Sequence, residues 1–278
     1  MELKNFLLTI ILYGVSHLSL SQTKIDTSKR ELTEEAGVKA TETQTNYRRN
    51  DDNDDEPSLF WEIFGEAIIG SIGWTFFGDY ENEGHLYSRL TPYPYQDKFS
   101  GNFESADTIV GLGKNKKNKF RIDIEDSYLY NGKELDGNYL EVKIRPFQYL
   151  YLQADYHQLE ERRQFDSSSL SLFHFNLGYD RIRMNKFNFG WTLGAAYVAN
   201  DVKKAGISFG VNADAYLSKQ FSVSGSAKWG AINNKPVNVF ETEGRYHIKR
   251  CFISLGYDYV KIGSPSYKFA KFGGGIYF

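Results

Sequence analysis

Charged residues recur at every second position in three stretches of this sequence. Because successive side chains of a β-strand point to opposite faces, residues two apart share one face. If that face is turned inward in a closed sheet, its charges are buried, and buried charges need partners. Opposite charges on neighbouring strands can provide them. The positions concerned are Arg121, Asp123, Glu125, Glu141, Lys143, Arg145, Glu241, Glu243 and Arg245.

This charge cluster supports two interpretations. One is a salt-bridged core that holds a narrow barrel shut, and the other is a permeation or ligand site. By contrast, the middle and final predicted strands present mainly Gly, Ser, Asn and Ala to the same side. Small residues leave volume that water or a plug could fill, so the sequence leaves the openness of the interior undecided.

A second constellation centres on two histidines. His157 and His174 fall on neighbouring predicted strands, with Asp155 and the serines at 167–169 nearby. An imidazole oriented by a carboxylate can activate a hydroxyl for acyl transfer. No family motif surrounds these residues, and paired imidazoles often do no more than form hydrogen bonds. We therefore predict a protein that is not an enzyme, with a lipid-modifying enzyme that uses these histidines as the alternative.

Composition limits the remaining chemistry. The formal net charge is −2, which gives no general attraction to nucleic acid. Cys251 is the single cysteine of the sequence, which excludes a disulfide-stapled fold. Neither a glycine-rich phosphate loop nor zinc-ligand spacing occurs, so no cofactor and no metal are predicted. The 20 Tyr, 21 Phe and 25 Gly favour β-strands with aromatic girdles.

The first 119 residues divide into four predicted segments. Residues 1–21 have the basic start, short apolar core and small terminal residues of a cleavable signal peptide. Residues 22–56 are polar and acidic, which predicts a disordered tether. Residues 57–80 are apolar and are predicted to form an amphipathic helix. Residues 81–119 are an irregular connector that could add two strands.

The apolar segment at 57–80 has three possible placements. It could lie at a membrane interface, plug the barrel from inside or beneath, or pack against the barrel mouth. The sequence contains no run of eighteen apolar residues, so a helical membrane span is not predicted.

From Phe120 onward, ten segments alternate apolar and polar residues with a period of two. Their length suits strands that cross a bilayer at a tilt, and aromatics cluster toward the segment ends. An open sheet in lipid would leave its edges unpaired, so closure is required. The prediction is an all-β, antiparallel up-and-down transmembrane barrel over 120–278, with ten strands or alternatively twelve. The ten predicted strands cover about 120–130, 138–146, 149–159, 168–180, 187–197, 205–215, 221–229, 236–247, 250–261 and 270–278.

The final strand resembles those of Gram-negative outer-membrane β-barrel proteins. Phe278 is the terminal aromatic, and Phe272 and Ile276 are apolar at every second position before it, with Gly274 a departure. The tyrosine-rich strands resemble exported proteins of the Bacteroidota. The resemblance implies an outer-membrane location, lipid as a partner, and recognition of the last strand by the barrel-assembly machinery.

The predicted role is structural, binding or porin-like, with a small pore. A small-molecule ligand is not identifiable from these residues. The further alternative is a secreted soluble β-barrel that binds a ligand or surface.

Overall fold

The computed structural model describes residues 23–34, 59–78, 120–132, 134–147, 149–162, 167–184, 186–218 and 220–278. The predicted signal peptide at 1–21 and the connector at 81–119 therefore lie outside the described residues. The described ranges contain two helices, and neither of them is long and apolar enough to cross a membrane.

Ten antiparallel strands form one closed barrel in the described part of the chain. Each strand pairs with its neighbours in sequence, and β1 closes the barrel against β10. The predicted up-and-down barrel of ten strands is confirmed. The strands are β1 (Arg121–Asn131), β2 (Leu135–Arg145), β3 (Leu150–Arg162), β4 (Ser167–Arg183), β5 (Phe187–Val198), β6 (Lys204–Tyr216), β7 (Phe221–Ile232), β8 (Lys235–Ile248), β9 (Cys251–Ile262) and β10 (Ser266–Tyr277).

The barrel has two ends that the strand order distinguishes. β1 begins and β10 ends at what we call the near end. The connections from β1 to β2, β3 to β4, β5 to β6, β7 to β8 and β9 to β10 all lie at the opposite, far end.

Side-chain alternation separates the two faces of the wall as the sequence predicts. On β4, Phe175 points outward and is 57% exposed, whereas its neighbours His174 and Asn176 are buried inside. On β10, Phe272 is 49% exposed outside and Lys271 is 2% exposed inside. The period of two therefore makes an apolar outer surface and a largely polar interior.

A ten-residue helix, α1 (Lys24–Thr33), closes the far mouth of the barrel. Ile25, Ser28 and Leu32 lie on one side of α1 at spacings of three and four, and all three are fully buried. Their side chains face the lumen, where Ile25 and Leu32 join the apolar core. α1 is therefore a plug formed by the N-terminal segment.

Polar contacts from the rim hold α1 in place. The Glu161 carboxylate accepts a hydrogen bond of 3.1 Å from the backbone N–H of Ile25, and the Ser168 hydroxyl donates to Asp26 over 2.7 Å. Three far-end connections and the far ends of four strands contribute to the set. The further contacts are Ser28 with the Ile262 carbonyl and the Tyr267 hydroxyl, Lys29 with Asp201, Glu31 with the N–H of Ser264, and Asn233 with the carbonyls of Leu32 and Glu34.

This helix differs from the tether expected over 22–56. A polar helix of ten residues is marginal in water, and the sequence shows only two apolar side chains to stabilise it. Burial of that stripe in the barrel mouth provides the missing stabilisation. Residues 35–56 lie outside the described ranges.

A second helix, α2 (Leu59–Phe77), packs against the outer wall of the barrel. Residues spaced three and four apart form one face of α2, and this face packs against outward-facing residues of β5, β6 and β7. The helical face consists of Phe60, Phe64, Ile68, Ile72 and Thr75, and the wall residues include Trp191, Leu193, Phe209, Val211 and Trp229. The predicted helix at 57–80 is thus present, but it lies outside the barrel and does not plug the lumen.

Candidate functional site in the lumen

The far third of the lumen is an apolar core directly beneath α1. Strands around the whole barrel contribute to it, and so do Ile25 and Leu32 of α1. Val237 and Val239, which break the outward apolar pattern of β8, belong to this core and are fully buried. Water is therefore excluded from the layer that seals the far end.

Beneath the apolar core lies a network of buried charges that spans the lumen. Lys271 of β10 contacts Glu125 at 2.9 Å, Glu243 at 2.9 Å and Glu241 at 3.3 Å. Lys228 of β7 contacts the same Glu241 at 3.1 Å. Two lysines thus join carboxylates from strands on different sides of the barrel.

The network continues to β3 and back to β1. Lys228 also contacts Asp155 at 2.7 Å, and Arg245 contacts Glu125 at 2.9 Å and Glu243. Because these side chains are almost fully buried, removal of one partner would leave the other charge unpaired in an interior of low dielectric. These ion pairs therefore link the strands to one another through the lumen.

A smaller ion cluster occupies the near end. Asp123 lies 2.6 Å from Arg121 and 3.6 Å from Arg145, and Arg145 also pairs with Asp180 of β4. The Arg145 guanidinium stacks over the Tyr151 ring at 4.6 Å. All nine residues of the predicted charge cluster therefore do face the lumen.

The charges pair between neighbouring strands only in part as expected. The β1–β2 register places Asp123 opposite Lys143, but it also places Arg121 opposite Arg145 and Glu125 opposite Glu141, where like charges face each other. Glu125 instead contacts Lys271, further along its other neighbouring strand β10, and Arg245 of β8. Register in a barrel follows from strand pairing over the whole circumference, and the narrow lumen lets long side chains reach the far wall.

The two predicted histidines lie deep in the lumen. His157 and His174 are both 0% exposed. His157 Nε2 lies 3.1 Å from the Asp258 carboxylate, and the His157 ring packs 4.6 Å from the ring of Tyr139. His157 is therefore enclosed by a carboxylate within hydrogen-bond distance and an aromatic ring.

The other members of the catalytic hypothesis have separate partners. Asp155 stands opposite His174 in the β3–β4 register, but its carboxylate contacts Lys228. Ser168 lies at the rim, where its hydroxyl donates to Asp26 of α1. A serine hydroxyl does meet an imidazole elsewhere, since Ser222 Oγ lies 2.7 Å from His247 Nε2, and His247 Nδ1 lies 3.5 Å from the Tyr277 hydroxyl.

Large side chains fill the volume beside the small inward residues. A Cβ atom on Gly178 would come within 2.1 Å of the Tyr151 ring, and one on Gly275 within 2.4 Å of the Phe252 ring. Two lumenal cavities measure about 30 and 20 Å³, which is room for single water molecules. The volume expected beside the small inward residues is therefore present only in part. Ser224 lines the larger cavity, whereas the rings of Tyr151 and Phe252 occupy the space beside Gly178 and Gly275.

Lys228 and Lys271 are the main residues of the network that sequence reasoning missed. Both follow the inward alternation, Lys228 after Ser222, Ser224 and Ser226, and Lys271 before Gly273. A lysine among small inward residues was the available signal, since a buried ammonium requires carboxylates to face it. No group of His, Cys, Asp and Glu in the described ranges has the arrangement of a metal site.

Fold and lumen together define a closed barrel with an apolar exterior and a braced interior. No family model matches the chain. No curated protein sequence matches it either.

Several solved structures resemble it at low identity. The N-terminal β-barrel domain of OprF from Pseudomonas aeruginosa is 13% identical over 57% of this chain and 97% of its own, with a TM-score of 0.30. The outer membrane protein OprG from Pseudomonas aeruginosa is 11% identical over 58% and 96%, with a TM-score of 0.32. The attachment invasion locus protein Ail of Yersinia pestis is 15% identical over 57% and 96%, with a TM-score of 0.27.

Proposed function

We propose that this protein is an integral outer-membrane β-barrel with a filled, braced lumen and a structural or binding role. In this proposal the near end faces the periplasm and the far end, closed by α1, faces outward. A cleavable signal peptide at 1–21 delivers the chain, and lipid is its main partner. The barrel-assembly machinery recognises the last strand through Phe272, Ile276 and Phe278.

The apolar outer surface is the observation that carries membrane insertion. Large apolar side chains stand exposed around the whole wall, a distribution that a protein surrounded by water avoids. Aromatic pairs lie near the strand ends, such as Tyr149 with Tyr179 at 6.0 Å and Phe221 with Tyr246 at 4.9 Å. Among the exposed wall residues are Leu140, Leu152, Phe175, Leu177, Val223, Ile253, Leu255, Tyr257 and Phe272.

The filled lumen supports a structural or binding role over a permanently open pore. An apolar core, ion pairs and aromatic rings succeed one another from the far end to the near end, and the two lumenal cavities described above have room only for single water molecules. A permeant ion would have to displace several braced side chains at once. The proposal is therefore a barrel that does not conduct in its resting state.

The burial of His157 and His174 supports a non-enzymatic protein. Neither imidazole has solvent-accessible surface, and His157 is occupied by Asp258. Lipid-ester hydrolysis by detergent-solubilised protein should be undetectable, both in the wild type and in His174→Ala. A hydrolase activity that His174→Ala abolishes would establish the enzymatic alternative instead.

Two measurements test membrane insertion and closure. The protein should fractionate with the outer membrane and migrate faster in gels before heating than after. In planar bilayers it should give no steady conductance. Recovery as a soluble periplasmic or secreted protein would contradict insertion and favour the soluble binding protein, and a steady conductance in the wild type would contradict closure.

A further inference from the structure

Helix α1 and the start of β1 lie at opposite ends of the barrel. α1 sits in the far mouth, whereas β1 begins at the near end. Between residues 34 and 120 the chain must therefore pass from one end of the barrel to the other. The lumen is filled, so the route has to lie elsewhere.

The contacts of α2 give the direction of that route. Phe64 stacks on Trp229 at 5.4 Å, and Trp229 lies three residues before the far end of β7 at Ile232. Trp74 lies 6.2 Å from Phe189, which is two residues from the near end of β5 at Phe187. α2 therefore begins beside the far rim and ends beside the near rim.

The length of α2 matches this path. Its 19 residues span about 28 Å at 1.5 Å per residue, close to the thickness of a bilayer's hydrocarbon core. The side of α2 turned away from the wall carries exposed apolar side chains within the helix, with Ile69 71% exposed and Phe76 78%. Water would penalise this surface, and lipid chains would not.

The polar groups of α2 have partners that suit a site within the membrane. The Trp191 indole N–H donates to the Thr75 hydroxyl at 2.8 Å, and Thr75 donates to the Ser71 carbonyl at 2.9 Å. Arg181 Nε donates to the Trp74 carbonyl at 2.9 Å, and the guanidinium stacks over the Trp74 ring at 4.6 Å. A cation bound at the last turn also opposes the negative end of the helix dipole.

Glu66 is a charged residue on the exposed side of α2, among the positions whose side chains the structure describes. It lies in the first half of the helix, nearer the far rim. Helical side chains slant toward the helix N-terminus, which directs its carboxylate to the aqueous interface at that rim. Since the barrel wall covers the opposite face, α2 needs only one lipid-compatible side, unlike a helix that spans a membrane alone.

We propose that α2 lies in the membrane as an accessory crossing segment on the outer wall of the barrel. It carries the chain from the outward-facing plug α1 to the periplasmic start of β1, and its lipid-facing side contacts the hydrocarbon core. The proposal rests on membrane insertion of the barrel, as proposed above. It predicts that α1 is exposed at the cell surface although it precedes the barrel in sequence.

Single-cysteine accessibility tests this topology in the full-length protein. In a Cys251→Ser background, the reporters are Thr33→Cys on the exposed side of α1 and Phe77→Cys at the end of α2. Asn131→Cys at the far end and Arg250→Cys at the near end are matched exposed controls. Each variant is first checked for heat-modifiable gel mobility, and then treated with a membrane-impermeant maleimide before and after permeabilisation of the outer membrane.

The expected result is that Thr33→Cys is labelled in intact cells like Asn131→Cys, and Phe77→Cys only after permeabilisation like Arg250→Cys. If the controls behave so but Thr33→Cys requires permeabilisation, the crossing role of α2 is overturned while barrel insertion stands. Labelling of Phe77→Cys in intact cells would overturn it equally. If the two controls do not differ, insertion in the stated orientation is itself wrong.

Discussion

The two helices of the N-terminal segment lie on opposite faces of the same barrel wall. α1 is polar, with ten residues and two buried apolar side chains, and it sits inside the mouth. α2 is apolar, with nineteen residues, and it lies outside against Trp191, Phe209 and Trp229. In a water-soluble protein, the apolar helix would be the one sheltered in the interior.

This contrast shows that polarity is inverted relative to a soluble fold. The mouth of the barrel offers carbonyls, hydroxyls and carboxylates that pair with polar groups of α1, while the outer wall beside α2 is mainly apolar, with the Trp191 indole and Arg181 as polar exceptions. α1 therefore gains from hydrogen bonds to the rim, and α2 gains from apolar contact with the wall. Each of the following predictions tests one side of that difference.

The largest effect is expected inside the barrel, at Lys228. Lys228→Met would leave Asp155 and Glu241 without one of their cationic partners in a buried layer, which costs about 3–5 kcal/mol of unfolding free energy. The measurement is equilibrium unfolding of the detergent-solubilised barrel in urea. Lys268→Met, at an exposed position of β10, is the control and should change stability little. Equal stability of both variants would mean that the ion network does not brace the wall.

The next effect concerns the plug. Leu32→Ala removes apolar contact from the core under α1 and should weaken docking by about 2–3 kcal/mol, at the low end for buried leucine because the helix can resettle. Limited proteolysis should then cut near residue 34 at a higher rate, and brief conductance events should appear in planar bilayers. Thr33→Ala, on the exposed side of the same helix, is the matched control. Unchanged proteolysis in Leu32→Ala would show that α1 is held by its rim contacts alone.

Outside the barrel, a smaller change is expected from Trp191→Phe. The variant keeps an aromatic ring but loses the hydrogen bond to Thr75, which is worth about 1 kcal/mol. Hydrogen exchange within residues 71–77 should speed up accordingly. Tyr257→Phe removes a hydroxyl from the outer wall at another strand and should leave that exchange unchanged. Equal hydrogen-exchange rates in the two variants would mean that apolar contacts, and not this hydrogen bond, stabilise α2 on the wall.

The smallest effect is a pH dependence of the plug. Burial opposes ionisation of Asp26, but hydrogen bonds from Thr23 and Ser168 and the charge of Lys29 outweigh it and lower its pKa from the ordinary 3.8. The hydrogen bond and charge of Lys29 likewise lower the pKa of Asp201. A lowered pKa stabilises the docked state above the ordinary value, and this contribution is lost as the pH falls through the lowered one.

The free energy of docking α1 in the barrel mouth should therefore be constant near neutral pH and become less favourable only below about pH 4. Hydrogen exchange of residues 23–34, corrected for intrinsic rates, measures this change. The double variant Asp26→Asn and Asp201→Asn should flatten the dependence. If the pH dependence of exchange persists in the double variant, titratable groups other than Asp26 and Asp201 cause it.

Much of the barrel was predictable because its signal is local and repeated. Alternation such as Phe187, Phe189, Trp191 against Asn188 and Gly190 identifies a strand and its two faces from neighbouring residues alone. The nine charged residues were placed inside by the same rule. The helical character of 57–80 also followed from local composition.

The helix placements were not predictable, because they depend on partners far away in sequence. α1 has a recognisable cap at Thr23 and a stripe at Ile25, Ser28 and Leu32, but these signals are weak without the mouth that buries them. For α2 the sequence shows an apolar helix but not which face of the wall it meets. The contacts of Phe64 with Trp229 and of Thr75 with Trp191 join residues more than a hundred positions apart.

The amino-acid sequence by itself determined the strands, their inward and outward faces, and the need for closure, since these follow from a period of two and from unpaired strand edges. Only the tertiary structure decided how the interior is filled. The register set Glu125 against Glu141, and its ionic partners are Lys271 of the other neighbouring strand, β10, and Arg245 of the more distant β8. The circumference of a closed barrel determines which side chains face each other, and no stretch of neighbouring residues contains that information.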